Sequence, residues 1–168
     1  MADPNDGGKK GDREFQVIVS ALDDCRRLIA AGKVQRWDVV KWGVTVNVGL
    51  AAVAAAIPFK GAFDLCGLAV PFSFIPVILA VTVAVVSLVL VLYYNKSATD
   101  ARNDATHLVN QMKDKHEIDY SRIVGKDLAS HYSKGFFYDW PELLLFTAIL
   151  IGSVLLPLVP ALFRAPAN

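Results

Sequence analysis

Apolar and polar positions follow two different periods along this chain. Three long stretches carry no charged side chain: Trp42 to Phe59, Leu65 to Tyr94 and Leu143 to Phe163. Each is closed by charges: Lys41 and Lys60, Asp64 and Lys96, Glu142 and Arg164. About 20 apolar residues in a helix cover a ~30 Å hydrocarbon core, so these stretches predict three transmembrane helices. A chain of 168 residues has no room to bury three such helices inside a soluble core.

Outside the spans the period changes to that of an amphipathic helix. From Arg13 to Ala31, Phe15, Ile18, Val19, Leu22, Cys25 or Arg26, and Ile29 follow the three-and-four spacing of one helical face. Asp23, Asp24, Arg26 and Arg27 fall mainly off that face, and Gly32 is expected to end the helix. Such a helix either lies on the inner membrane surface or packs on the central segment. Residues 1–14, rich in Gly, Lys and Asp, are expected to be disordered.

Span one holds many small residues, Gly43, Gly49, Ala51, Ala52, Ala54, Ala55 and Ala56, which let helix backbones approach closely within a bilayer. Asn47 is its one strongly polar side chain. It predicts an interhelical hydrogen bond, with the lining of a pore as the functional alternative. The second stretch is too long for one simple crossing, and Pro71 and Pro76 account for the excess. Leu65 to Ile75 reads as an interfacial or bent entry segment, and the helix proper starts near Pro76, a residue tolerated in a first turn.

No breaker follows until Gly125, so the second span is expected to continue into a long helix reaching Val124. Ala98, Ala101, Ala105, Leu108 and Met112 form a narrow heptad seam on it. The seam docks either on the N-terminal amphipathic helix of the same chain, the favoured expectation because it is short, or on a second copy. Asp139, Trp140, Pro141 and Glu142 read as a strong helix start, with Asp139 as cap and Glu142 closing a capping box. Pro157 and Pro160 are expected to kink the outer half of span three.

Charge then orients the chain. Of 17 Lys and Arg residues, 15 lie in the segments before span one and between spans two and three, and only Lys60 and Arg164 lie elsewhere. Basic residues favour the cytoplasmic side. The N-terminus and segment 95–142 are therefore expected in the cytoplasm, and the short hairpin loop and the C-terminus outside. Aromatic anchors agree: Trp37, Trp42, Tyr93, Tyr94, Tyr138 and Trp140 all sit at inner ends of spans. The expected layout is a disordered 1–14, an amphipathic helix over 15–41 and a transmembrane hairpin over 42–94. A helical cytoplasmic segment over 95–142, a third span over 143–163 and a tail over 164–168 complete it.

Composition adds little beyond this. The hydrophobic fraction of 54% and mean hydropathy of +0.41 suit a small membrane protein. A net charge of +1 gives no global bias toward nucleic acid.

Candidate chemistry is sparse. Asp100, Asp104 and His107 share a helical face, a spacing that metal ligands use and that solvated polar stripes use far more often. His116-Glu117 begins a zincin-like pattern, but Tyr120 stands where the second His is needed. Arg122, Lys126, His131 and Lys134 could meet anionic headgroups, although Asp127 and Asp139 make the group only mildly basic. Cys25 and Cys66 fall on opposite sides of the membrane in this topology and cannot pair within one chain. No phosphate loop and no nucleophile elbow occurs. No span contains an ionisable residue, which argues against a proton-coupled or ion-coupled transporter. No enzyme activity, cofactor or metal is expected.

The sequence thus predicts an all-α integral membrane protein with three transmembrane helices, an N-terminal amphipathic helix and a long cytoplasmic extension of the second span. From Phe15 to Val124 this layout resembles the SLATT group of small bacterial membrane proteins; span three lies outside the resemblance. The resemblance implies an oligomeric membrane effector of the bacterial inner membrane, forming pores in defence or nucleotide signalling. The expected partners are the lipid bilayer and further copies of the chain. A non-catalytic subunit of a larger membrane complex is the alternative.

Overall fold

The computed structural model describes residues 6–57, 61–65, 68–116 and 139–164. Helix α1 runs over Asp6–Ala56, a hairpin of β1 (Ala62–Leu65) and β2 (Leu68–Pro71) follows, and a single 3-10 turn covers Phe72–Phe74. Helix α2 then spans Ile75–His116 and helix α3 spans Trp140–Arg164. Among the described residues the chain is helical apart from this hairpin, and three helices are long and apolar enough to cross a membrane.

Three expectations are corrected here. First, α1 is one helix of 51 residues and does not stop at Gly32. A Cβ at Gly32 would lie 3.3 Å from the Ala98 Cβ and 3.5 Å from the Tyr94 carbonyl oxygen. The glycine permits close approach of α2, and the tertiary contact overrides its weak helix propensity. Second, α1 begins at Asp6, well inside the segment expected to be disordered. Third, the entry segment expected before Pro76 is no simple bend: it contributes one strand of a short hairpin within an otherwise helical fold. The stretch read as a bent entry segment pairs antiparallel, with Ala62 opposite Pro71 and Leu65 opposite Leu68. Gly61 makes this possible with φ +96°, a conformation that side chains disfavour, while its carbonyl accepts a 3.1 Å bond from the Phe72 amide. Pro71 falls at the end of its strand, where a missing N–H is tolerated.

Other boundaries agree with the sequence. Pro76 sits in the first turn of α2, which begins at Ile75. α2 continues without interruption to His116; the part of the expected helix from Glu117 to Val124 lies outside the described residues. α3 starts at Trp140 and passes through both Pro157 and Pro160.

The chain divides into two compact units. The first comprises Met1–Val34 and Tyr94–Asp139, the second Gln35–Tyr93 and Trp140–Asn168. The first has its core where α1 meets α2: Ile18, Leu22 and Cys25 pack with Ala105 and Met112, and Phe15, Ile29, Leu108 and Val109 close around them. An exposed ion pair, Lys115 Nζ to Glu14 Oε1 at 2.7 Å, joins the same two helices. The second unit has a core of Val40, Val91, Leu143 and Phe146, one or more residues from each helix.

Candidate functional site

The chemistry-bearing residues of the second unit point inward from one face of α1. Arg36, Val40, Gly43 and Asn47 recur at spacings of four, three and four, and all four are buried. They form successive polar and apolar layers with α2 and α3.

At the first layer, Arg36 is wholly buried, and its Nη2 lies 3.1 Å from Glu142 Oε2. The carboxylate of Glu142, the residue expected to close a capping box, meets Arg36. Beside them the Trp37 ring stands edge-on to Phe146, with centroids 4.8 Å apart. The apolar layer of Val40, Val91, Leu143 and Phe146 comes next. Beyond it, Gly43 faces Ser87: a Cβ on Gly43 would lie 2.6 Å from Ser87 Oγ and 3.0 Å from Leu150 Cδ2. One turn further, Asn47 Nδ2 donates to Ser153 Oγ at 2.7 Å, and Ser153 Oγ donates in turn to the Leu150 carbonyl at 2.7 Å.

Asn47 is thus held in an interhelical hydrogen bond within one chain and is fully buried. Of the other weakly polar groups, Ser87 and Ser153 also face the interior. The three threonines of the spans satisfy themselves: Thr45 donates to the Lys41 carbonyl, Thr82 to Ile78 and Thr147 to Leu143, at 2.8, 3.0 and 2.8 Å. Such back-bonding leaves a helix surface compatible with hydrocarbon. No continuous polar lining runs along the described part of this unit, because the Val40 layer separates Arg36 from Ser87.

In the first unit, Arg102 and Asp139 form a buried ion pair, with Nη1 to Oδ2 at 3.0 Å and both side chains about 5% exposed or less. Asp139, read as the cap of α3, gives its carboxylate to Arg102. Neither Arg36 nor Arg102 was singled out from the sequence. Arg36 becomes visible when the seam of Leu22, Cys25 and Ile29 is carried through Gly32 at the same spacing. The expected helix end at Gly32 hid it.

The remaining predicted positions fall as follows. Ala98, Ala101, Ala105 and Met112 are buried, and Leu108 packs against the core with Ile18, Leu22 and Cys25 of the same chain. Trp37, Trp42, Tyr93 and Trp140 are exposed and Tyr94 is half-buried, while Tyr138 lies outside the described residues. Cys66 and the cluster of Arg122, Lys126, His131 and Lys134 also lie outside them. Asp100, Asp104 and His107 are exposed, and no group of three His, Cys, Asp or Glu among the described residues could hold a metal ion. Cys25 is buried, and desolvation pushes its thiol above the ordinary value, with Asp104 and Asp24 acting in the same direction.

No family model, curated protein or solved structure matches this chain.

Proposed function

We infer that the chain is a homo-oligomeric membrane effector, inserted through three spans and assembled through the small-residue face of span one. The carrying observation is Gly49. It is exposed, and a Cβ built on it would meet nothing within 4 Å. Thr45, Ala52 and Ala56 share its face and are exposed as well. In a bilayer a face of small residues promotes close helix packing. Gly43 uses that property inside the chain, whereas Gly49 offers it outward.

The orientation follows the charge asymmetry, with the N-terminus and the 95–142 segment in the cytoplasm of a bacterial cell. The helical segment of the first unit then receives the signal. The resemblance to the SLATT group supports this reading, and no catalysis is assigned to the chain. With Asn47, Ser87 and Ser153 turned into the interior of their own chain, a pore would be enclosed between copies. The exposed Thr45 stands on the face that would meet a neighbour.

A second reading, a non-catalytic subunit of a larger membrane complex, is favoured by an apolar groove of about 280 Å³ between α2 and α3. Val81, Val85, Leu88, Ile151 and Leu155 are among its lining residues. Mass measurement after mild detergent extraction separates the two. A ring of identical chains that dissociates on Gly49→Leu supports the effector. A stable heteromer, indifferent to Gly49→Leu, replaces it with the subunit reading.

A further inference from the structure

We propose that the groove between α2 and α3 holds one acyl chain of an anionic phospholipid from the surrounding bilayer. Val81, Ala84, Val85 and Leu88 form one wall, and Thr147 and Ile151 belong to the other. All of them lie in the second unit. Among the described lining residues only Thr147 has a polar side chain, and its hydroxyl donates to the Leu143 carbonyl at 2.8 Å. The walls therefore offer an occupant no hydrogen bond from a side chain. The groove also lies deep in hydrocarbon, because Val81 to Leu88 is the middle of the uncharged stretch of α2 from Ile75 to Tyr94.

An occupant at that depth is either an acyl chain or an apolar helix, and size separates the two. The groove's volume of about 280 Å³ extends along the ~10 Å between Val81 and Leu88. A helix with its side chains is ~10–12 Å across and needs about three times that volume over the same length. A single extended chain of methylenes is slender enough to fit.

Charge then selects the lipid. Moving an acyl chain from the bilayer into the groove exchanges one hydrocarbon surrounding for another, so close packing and the headgroup decide the preference. Along α2, Leu92 and Lys96 follow Leu88 by four and eight residues on the same face, and both are exposed. Along α3, Leu144 and Trp140 precede Thr147 by three and seven residues on the groove's face, and both are exposed. Eight residues of helix rise ~12 Å, which carries Lys96 from the depth of Leu88 toward the headgroups. A lysine there attracts an anionic headgroup, and tryptophan favours the same layer. Asp100, the nearest acid on α2, lies one turn further from the bilayer.

The proposal rests on the membrane spans and not on self-association. Its test uses the full-length chain in phosphatidylcholine vesicles doped with phosphatidylglycerol that carries a diazirine in its acyl chain. On illumination, crosslinks should concentrate on residues 81–88 and 147–155. Ala84→Leu, which fills the groove, should remove that concentration. Crosslinks spread evenly over the exposed faces of the three helices overturn the proposal, as does a pattern unchanged in Ala84→Leu. Groove residues shielded from the probe, as under a helix of another chain, overturn it too. The same diazirine chain on a phosphatidylcholine headgroup should label the groove about fivefold less, the effect of one lysine. Lys96→Gln should abolish that difference, whereas equal labelling by both lipids in the wild type overturns the choice of an anionic lipid.

Discussion

The side-chain amide of Asn47 and the hydroxyl of Ser153 meet at 2.7 Å, across 106 residues of chain, and tie α1 to α3 in a fully buried setting. Hydrogen bonds of this kind between membrane helices contribute about 0.6 kcal/mol on average, up to about 1.7. Asn47→Leu and Ser153→Ala should therefore each destabilise the folded chain, with a coupling in that range in a double-mutant cycle. Unfolding in mixed micelles measures it. Independent, additive effects would mean that the bond contributes nothing.

Gly43 and Gly49 lie about 1.7 helical turns apart, on different faces of α1, and should respond oppositely. A Cβ at Gly43 collides with Ser87 and Leu150, so Gly43→Val should cost about 1–3 kcal/mol of monomer stability. Gly49→Val should leave the folded chain intact and, on the proposed assembly through span one, weaken association between copies. Unfolding curves alongside mass measurement of the extracted complex distinguish the two; a fold loss at Gly49 equal to that at Gly43 would contradict the outward face.

Leu108 packs against the core of Ile18, Leu22 and Cys25, whereas Asn103 is exposed. Leu108→Asp places a charge in that contact and should cost a few kcal/mol. Asn103→Asp should be nearly neutral. Thermal unfolding of the two variants provides the comparison, and equal shifts would mean that the docking face is wrongly assigned.

The Arg102–Asp139 pair is buried on both sides. Asp139→Asn removes the carboxylate charge that meets the buried guanidinium, and about 3–5 kcal/mol should be lost. Replacing both residues together with Met and Leu should recover much of that loss, because the desolvation cost disappears with the charges. A double variant as unstable as Asp139→Asn would show that the pair does more than compensate its own burial.

Sidedness needs probes other than Cys25. Its raised thiol pKa and its burial reduce the reactive thiolate at neutral pH, so it should label slowly from either side and faster as pH rises. In a background lacking both native thiols, Cys25→Ala with Cys66→Ala, Asp64→Cys and Ser20→Cys offer exposed thiols. An impermeant reagent applied to intact cells should label Asp64→Cys and reach Ser20→Cys only after permeabilisation. The reverse pattern would invert the orientation.

What the sequence determined by itself were the features that depend on local pattern alone. Three uncharged stretches gave three helices long and apolar enough to cross a membrane. Pro76 marked the start of α2 and Trp140 the start of α3, because capping and proline chemistry act within one turn. The seam from Ala98 to Met112 was legible because helical periodicity shows directly which residues share a face. The tertiary structure decided everything that hangs on a partner far along the chain. Gly32 reads as a terminator until Ala98 and Tyr94 are brought against it, and only then is α1 a single helix carrying Arg36 inward. Glu142 and Asp139 read as caps from local pattern, and only folding shows that their carboxylates meet Arg36 and Arg102. The hairpin at Ala62 to Pro71 escaped notice because four-residue strands leave too few positions to show a period. Asn47 read as the donor or acceptor of an interhelical hydrogen bond, with a pore lining as the alternative, and the sequence named no partner for it. Ser153, 106 residues away, settled that choice, because only folding brings such distant polar atoms within reach of one another.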